Sequence, residues 1–318
     1  MTDRLLGFDI GGTKTAFVIG DTKGAILARR RTPTHLSGDP RRDVAAMAET
    51  GLALLAEVGG RPADLVRAGA AVPGPFDPDS GTLLHPPNMP GWESVPIAEW
   101  LSQSLGCPVS LENDANAAAL AEHRFGAGRG IDDLVYLTMS TGVGGGILLG
   151  GQIQRGSGSG AGEVGHVPVE WPGDPCNCGL RGCLEAYVGG ACLERRLTEQ
   201  VNPDSRLARL AGGGAVRPEH LVEAAREGCP DALREMERFN EYLARGIVQL
   251  CFTLDPAAVI LGTICVAAGE ALCLTPVREK VQARLWPAFA ERLSIVPAQL
   301  DAELPYRAGL AVALEPGA

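Results

Sequence analysis

The sequence predicts an α/β protein of two lobes, and three observations predict it. Strand-like and helix-like segments are mixed in both halves of the chain. The length, 318 residues, exceeds the size at which single hydrophobic cores usually stop growing. A strand–glycine turn–strand pattern opens the chain and returns at Asp133, an internal echo of type that points to two related lobes. Hydrophobic residues make up 45% and charged residues 21%, the balance of a folded globular protein.

Each element has its own local signal. In "LLGFDIGGTKTAFVIGD" two apolar runs flank "GGTK", which reads as strand, glycine turn, strand. "GAILARRRT" reads as a third strand leaving a turn at 21–24. "RRDVAAMAETGLALLAEVG" carries apolar residues at helical spacing and stops at Gly59 and Gly60. "VRAGAAVPGPFD" is a short buried strand that runs into a Pro/Gly loop, and "HPPNMPGW" is a loop. "SVPIAEWLSQSLG" reads as helix, "PVSLEND" as strand, and the alanine-rich "ANAAALAEHRFG" as helix. The echo comes next, in "DLVYLTMSTGVGGGILLGGQI". Beyond a cysteine cluster and a helical stretch, "VNPDSRLARLAGGGAVRPEH" reads as a surface excursion, and one long helix is expected from about Glu219 to Leu254. "AAVILGT" is a buried strand, "GEALCLTPVREKVQARLW" a helix, "RLSIVPAQL" a last strand, and "ELPYRAGLAVALE" has the apolar spacing of a helix.

Composition excludes some functions. The formal net charge of -10 repels a phosphate backbone, so nucleic acid is not expected as a partner. Nucleoside triphosphate remains open to an acidic chain, because backbone amides and a metal ion hold phosphates locally. Aromatics at 5% and 42 glycines favour glycine loops over an aromatic groove. The N-terminal segment has no basic region followed by a long apolar run, and no apolar stretch reaches membrane-spanning length, so no membrane partner is expected and the protein is expected to be cytoplasmic. Thiols stay reduced in that compartment, and the cysteine count is odd. Cys107, Cys192, Cys229, Cys251, Cys265 and Cys273 are scattered among apolar residues and read as small core side chains.

Three constellations carry chemistry. In "DIGGTKT" the carboxylate of Asp9 ends a strand and the glycines let backbone amides approach a phosphate; Asp9 suits a magnesium ion held through water. The same pattern also suits a plain hairpin turn. The second turn, "STGVGGG", supplies a second glycine loop, with Thr141 able to offer a hydroxyl to a terminal phosphate. In "LENDANAAA", Asp114 lies where a strand gives way to a helix. Asn113 or Asp114 could cap that helix, and Asp114 could serve as general base toward a hydroxyl nucleophile.

The most specific stretch is "GAGEVGHVPVEWPGDPCNCGLRGC". His166 precedes Cys176 by ten residues, and Cys176, Cys178 and Cys183 stand in a C-x-C-x4-C spacing. Three thiolates and one imidazole make a closed tetrahedral shell for structural zinc, with no open position for chemistry. Such an ion pins a Gly/Pro-rich loop that cannot build a core of its own. Glu163 and Glu185 would be held with it, as acceptors for sugar hydroxyls or as solvated surface charges.

In combination and in order, "DIGGTKT", "AVPGPFD", "ENDANAAALAE", "STGVGGG", "GEVGHVPVE" and "CNCGLRGCLE" resemble the ROK family of sugar kinases and sugar-responsive repressors. The resemblance implies an actin/hexokinase-like (ribonuclease H-like) fold of two lobes with a cleft, ATP and Mg²⁺ as cofactors beside the structural Zn²⁺, γ-phosphate transfer to a hexose hydroxyl, and a homodimer. Residues 1–112 with about 300–318 would form the small lobe, and 113–299 the large lobe with the zinc loop. Carried over residue by residue, Asp114 resembles the catalytic base. Gly74, Asn113, Glu163, His166 and Glu185 look like sugar-binding groups, with His166 placing one ring nitrogen on zinc and the other toward the sugar. Gly11, Gly12, Thr13 and Lys14, with Thr141, Gly142 and Gly262, match nucleotide-binding positions. Two departures stand out: Ser140 replaces a glycine in the second turn, and "GTICVAAGE" retains only Gly262 of a glycine run expected near the adenosine. A glucokinase acting at the 6-hydroxyl is the leading expectation, with fructose, mannose, N-acetylglucosamine and N-acetylmannosamine as alternative acceptors. A repressor is not expected: Asp9 stands nine residues from the start, which leaves no room for a DNA-binding helix-turn-helix.

Overall fold

A computed structural model describes residues 3–86 and 89–315. The elements, in chain order, are β1 (Arg4–Ile10), β2 (Lys14–Asp21), β3 (Ile26–Pro33), α1 (Pro40–Glu57), β4 (Leu65–Val72), β5 (Phe76–Asp77), β6 (Thr82–Leu83), α2 (Ile97–Leu105), β7 (Val109–Asn113) and α3 (Asp114–Phe125). The middle of the chain holds β8 (Leu134–Met139), β9 (Val143–Leu149), β10 (Gln152–Ile153), α4 (Leu184–Val188), α5 (Gly190–Gln200), α6 (Arg206–Ala211), α7 (Pro218–Arg226) and α8 (Pro230–Leu254). The chain ends with β11 (Ala258–Leu261), α9 (Ile264–Gly269), α10 (Thr275–Gln282), α11 (Pro287–Ala290), β12 (Ser294–Pro297) and α12 (Leu304–Leu314). Of the loop expected at 85–92, Pro87 and Asn88 lie outside the described residues.

The chain divides into two compact units, residues 1–126 with 300–318, and 127–299. Their sheets share one topology. The first has the order β3-β2-β1-β4-β7 and the second β10-β9-β8-β11-β12. In each, the first three strands form antiparallel hairpins and the last two add in parallel. The echo seen in the sequence is therefore one strand plan used twice.

The unit boundary corrects the sequence expectation. That expectation starts the large lobe at 113, yet α3 packs on α12 and stays with the first unit. Its alanines make this possible: Ala115, Ala117, Ala118, Ala119 and Ala121 are all buried, so two helices can approach closely.

Unit 1 buries both faces of its sheet. Phe8 and Ile10 on β1, with Phe17 and Ile19 on β2, point to one face and meet α1 and α2. Leu5 and Val18 point to the other and meet Leu310 and Ala313 on α12. The edge strand β3 alternates partly covered and exposed residues and carries Arg29, Arg30 and Arg31, charges that discourage further strand pairing. In unit 2 the core runs along α8, where Met236, Phe239, Leu243, Ile247 and Leu250 are buried at helical spacing. The central parallel strand β11 is buried throughout.

Some expectations in unit 2 fail for local reasons. The long helix expected from Glu219 is two helices, because Gly228 adopts φ 79° and Pro230 opens α8. The segment 201–220 is not a surface excursion: Ser205 caps α6 through Ala208 N, and Leu207 and Val216 enter the core. The helix expected over 269–286 begins as a π-helical turn, Glu270–Leu274, before α10.

Helix α12 meets the sheet of unit 1 backbone to backbone. A Cβ on Gly309 of α12 would lie 2.5 Å from Phe8 N, and one on Gly7 of β1 would lie 2.6 Å from Gly309 C. Helix and sheet meet there without side chains. Gly309→Ala is expected to lower the unfolding free energy by about 1–3 kcal/mol through overpacking. Gly158→Ala, with nothing within 4 Å of the new methyl, should stay within about 0.5 kcal/mol of the wild type. Urea unfolding followed by far-UV circular dichroism measures both.

Candidate active site

In unit 1 the β1–β2 turn closes when Gly11 N donates to Lys14 O at 3.0 Å. Thr34 clamps it from β3's exit: its Oγ1 donates to Gly11 O at 2.6 Å and its N to Thr13 O at 2.9 Å. Gly11 and Gly12 are half-buried, while Thr13 and Lys14 are exposed.

At the β7–α3 junction the two cap candidates separate. Asn113 takes the cap, its Oδ1 accepting from Ala115 N at 2.9 Å and Asn116 N at 3.4 Å. Asp114 becomes the first helical residue, with Oδ1 2.8 Å from Ala115 N. Gly74 leaves room here, since a Cβ on it would stand 3.4 Å from Asn113 Nδ2. Glu112, absent from the sequence expectations, is buried and accepts from Asn113 N at 3.0 Å and Asn116 Nδ2 at 2.9 Å. Its signal is an inward-facing carboxylate on a short strand, a group that persists only when hydrogen-bonded.

Asp9 and Asp114 act on each other. Burial first, and then the negative charge of Asp114, push the Asp9 carboxyl up to about 7, while Arg31 pulls the other way. The unfolded chain releases this proton near the ordinary 3.8 and the folded chain keeps it to about 7, so Asp9 makes stability fall as pH rises across that window.

In unit 2 the β8–β9 turn is closed by Ser140 N donating to Gly142 O at 3.0 Å. The N-terminus of α5 holds it from outside: Gly190 N donates to Ser140 O and Ala191 N to Thr141 O, each at 2.8 Å. A Cβ on Gly190 would lie 2.2 Å from Ser140 O, so α5 reaches the turn only because 190 is glycine. Ser140 needs no left-handed backbone, so the departure from glycine leaves the turn intact.

Beside this turn lies a cavity of ≈ 830 Å³ walled by Ser140, Thr141, Ala191, Thr198, Val222 and Ala267 among others. That volume accommodates a small-molecule ligand with its apolar body covered. Gly262 closes β11, its N donating to Leu137 O at 2.8 Å. Thr263 lines the cavity and departs from the usual backbone, at φ 47° and ψ −108°, a conformation that suits glycine. Its hydroxyl donates to Met139 O, which ties the segment to the end of β8. The walls come from α5, α7 and α9, separated in sequence, so no local motif announces them.

The Cys/His cluster assembles as its spacing implies. One ligand atom each from His166, Cys176, Cys178 and Cys183 lie within 4.8 Å of one another. Cys178 and Cys183 sulfurs are 3.8 Å apart, and Cys176 Sγ is 3.9 Å from His166 Nδ1. A tetrahedron with zinc–ligand bonds of about 2.0–2.3 Å has edges of about 3.3–3.8 Å, so the donor set fits that ion. Backbone hydrogen bonds shape the loop: Cys176 N donates to Leu180 O at 2.9 Å and Gly179 N to Cys176 O at 3.1 Å. The Leu180 amide draws Cys178 below the usual thiol range, while burial pushes Cys176 up. The other imidazole nitrogen, Nε2, faces Glu163 Oε2 at 3.9 Å. Glu185, expected as a sugar acceptor, turns one oxygen to the glycine turn: Oε2 accepts from Val143 N at 2.9 Å, and Oε1 is 3.5 Å from Cys176 Sγ.

These arrangements have counterparts. The model of the ROK family matches residues 5–314. The chain belongs to the ROK family. It is 37% identical over 300 residues to a glucokinase of Thermotoga maritima, covering 93% of each chain. The ROK hexokinase of Thermus thermophilus superposes with a TM-score of 0.83 at 36% identity, over 98% of this chain and 97% of that one. A ROK glucokinase from Streptomyces griseus, solved with glucose and AMPPNP, superposes at 0.75 and 34% identity over 98% of both. The xylose repressor of Bacillus subtilis also aligns, 26% identical over 94% of this chain and 74% of its own. The two α/β units are those of the actin/hexokinase-like fold of these ROK proteins.

The charge argument at Asp9 is open to measurement. In carboxyl ¹³C NMR, Asp9 should titrate near 7 in the wild type. In Asp114→Asn its midpoint should fall, because a neighbouring charge is gone, yet stay above the ordinary carboxylate range, because burial remains.

Proposed function

We propose that this ROK protein is an ATP-dependent hexose kinase whose preferred acceptor is the 6-hydroxyl of glucose. The observation that carries the reading is the start of α3. Asn113 caps the helix, and Asp114 is set beside Asp9 at the first glycine turn. In this reading the Asp114 carboxylate accepts the hydroxyl proton as the sugar oxygen attacks the γ-phosphorus. The bond from that phosphorus to the β–γ bridging oxygen breaks, and ADP leaves.

The other residues bind and orient. Gly11, Gly12, Thr13 and Lys14 meet phosphate in unit 1, and Thr141 and Gly142 do so in unit 2. The cavity bounded by Thr198, Val222 and Ala267 takes the adenosine, with Gly262 and Thr263 at its edge. Magnesium, when bound, offsets phosphate charge; Asp9 suits it, since a carboxyl pushed up by burial and then by a second carboxylate gains from a cation. Zinc on His166, Cys176, Cys178 and Cys183 is structural. With Nδ1 on the ion, His166 keeps a proton on Nε2 for the sugar, next to Glu163, and Gly74, Asn113 and Glu185 are the remaining sugar contacts. Support for glucose comes from the glucokinase relatives at 37% and 33% identity. The other hexoses stay as alternatives that differ by one hydroxyl or an acetamide. Among the described residues no helix is long and apolar enough to cross a membrane.

Two outcomes are expected. In a coupled assay with a panel of hexoses, and ATP then polyphosphate as donor, glucose with ATP gives the highest kcat/KM, and Asp114→Asn lowers kcat by about 10²–10⁴ with sugar affinity nearly kept. Full turnover in Asp114→Asn refutes the base assignment, and an inactive wild type that binds sugar favours a sensor. By elemental analysis the purified protein carries about one zinc per chain and Cys178→Ser loses it; retention of zinc by that variant would refute the site.

A further inference from the structure

We propose that Glu185 is a positioning residue for the β8–β9 glycine turn, and that the Cys/His cluster governs nucleotide affinity through it. The inference rests on the reading of that turn as a phosphate site.

The carboxylate joins two structures that the sequence keeps about 40 residues apart. Its Oε2 accepts the Val143 amide at 2.9 Å, at the first residue of β9. It fills the space beside Gly142, where a Cβ would come within 2.4 Å of Oε2. Its other oxygen is 3.5 Å from Cys176 Sγ, and its backbone continues from Cys183 into α4. Whatever fixes the three cysteines fixes this carboxylate under the turn.

A second link runs in parallel. Arg195 on α5 donates to Asn177 Oδ1 at 2.6 Å and to Pro175 O at 3.1 Å, on either side of Cys176 in sequence. The same helix begins with the Gly190 and Ala191 amides that hold the Ser140 and Thr141 carbonyls. The cysteine loop therefore braces the turn from two sides. By linkage, a metal that orders the loop favours nucleotide, and nucleotide favours metal by the same factor.

The test uses the full-length, zinc-loaded protein with Mg·AMPPNP and no sugar, read by calorimetry. Glu185→Ala leaves the Val143 amide without its partner and should weaken nucleotide binding roughly tenfold or more. Glu185→Gln keeps an oxygen acceptor, so it should stay within about threefold of the wild type. Stripping zinc from the wild type should weaken nucleotide binding as well. Hydrogen exchange gives a readout without nucleotide: the Val143 amide should exchange faster in Glu185→Ala and in the zinc-free wild type. Unchanged affinity and exchange in Glu185→Ala would overturn the proposal, as would equal losses in the Gln and Ala variants. If Glu185→Ala does not fold, the zinc-free wild type decides by the same two measurements. A folded wild type that binds no Mg·AMPPNP would count against the phosphate reading of the turn, and the exchange result would still decide the coupling.

Discussion

In unit 2 the β8–β9 turn rests on the hydrogen bond from the Val143 amide to Glu185. A glycine turn between two strands is easily bent, because its residues have few side-chain contacts to hold them. Here the turn has a carboxylate under it, the first amides of α5 beside it, and the hydroxyl of Thr263 tied to the strand that enters it. The cysteine loop stands behind the first two supports. That loop has little apolar area of its own, and its shape comes from short backbone hydrogen bonds around Cys176 and from the ligand cluster. The rigidity of the turn is borrowed from a place that touches no phosphate.

The two units apply one sheet plan to different ends. Both start with a hairpin whose turn is glycine-rich, and both add two parallel strands beyond it. In unit 1 the turn sits against acids: Asp9 lies near the end of β1, and the β7–α3 junction brings Asp114 to it. In unit 2 the turn sits against a cavity whose other walls come from α5, α7 and α9. Identical strand order fixes where each turn emerges. The segments that leave β7 and β9 decide the chemistry each turn meets.

Much of this is legible in the sequence, for physical reasons. Strands and turns announce themselves because buried strands need apolar runs and tight turns need glycine, as in "LLGFDIGGTKT". The Cys/His cluster is legible because a closed metal site would need particular atoms at short spacing. Other features have no such signal. The break at Gly228–Pro230 escapes a periodicity reading because apolar spacing runs on across it, although Pro230 could have marked a helix start. The assignment of α3 to unit 1 depends on α12, nearly two hundred residues later. The contact between Glu185 and Val143 has no sequence signal, because only the folded chain brings the two together. The cavity walls are ordinary residues on separate helices, and their nearness is a product of tertiary packing.

Charge gives the last constraint. The chain carries a net charge of -10 and sets two carboxylates together at its first glycine turn, yet the proposed reaction has it take a polyanion. A surface of that sign gives no long-range attraction to a nucleotide. Attraction must come from short range: amides at the two turns, the N-terminal amides of α5 that orient one of them, and a cation at Asp9. That is consistent with an Asp9 carboxyl pushed up to about 7. In the proposed reaction, a cation that arrives with the phosphates would pair a carboxyl that burial and Asp114 hold up.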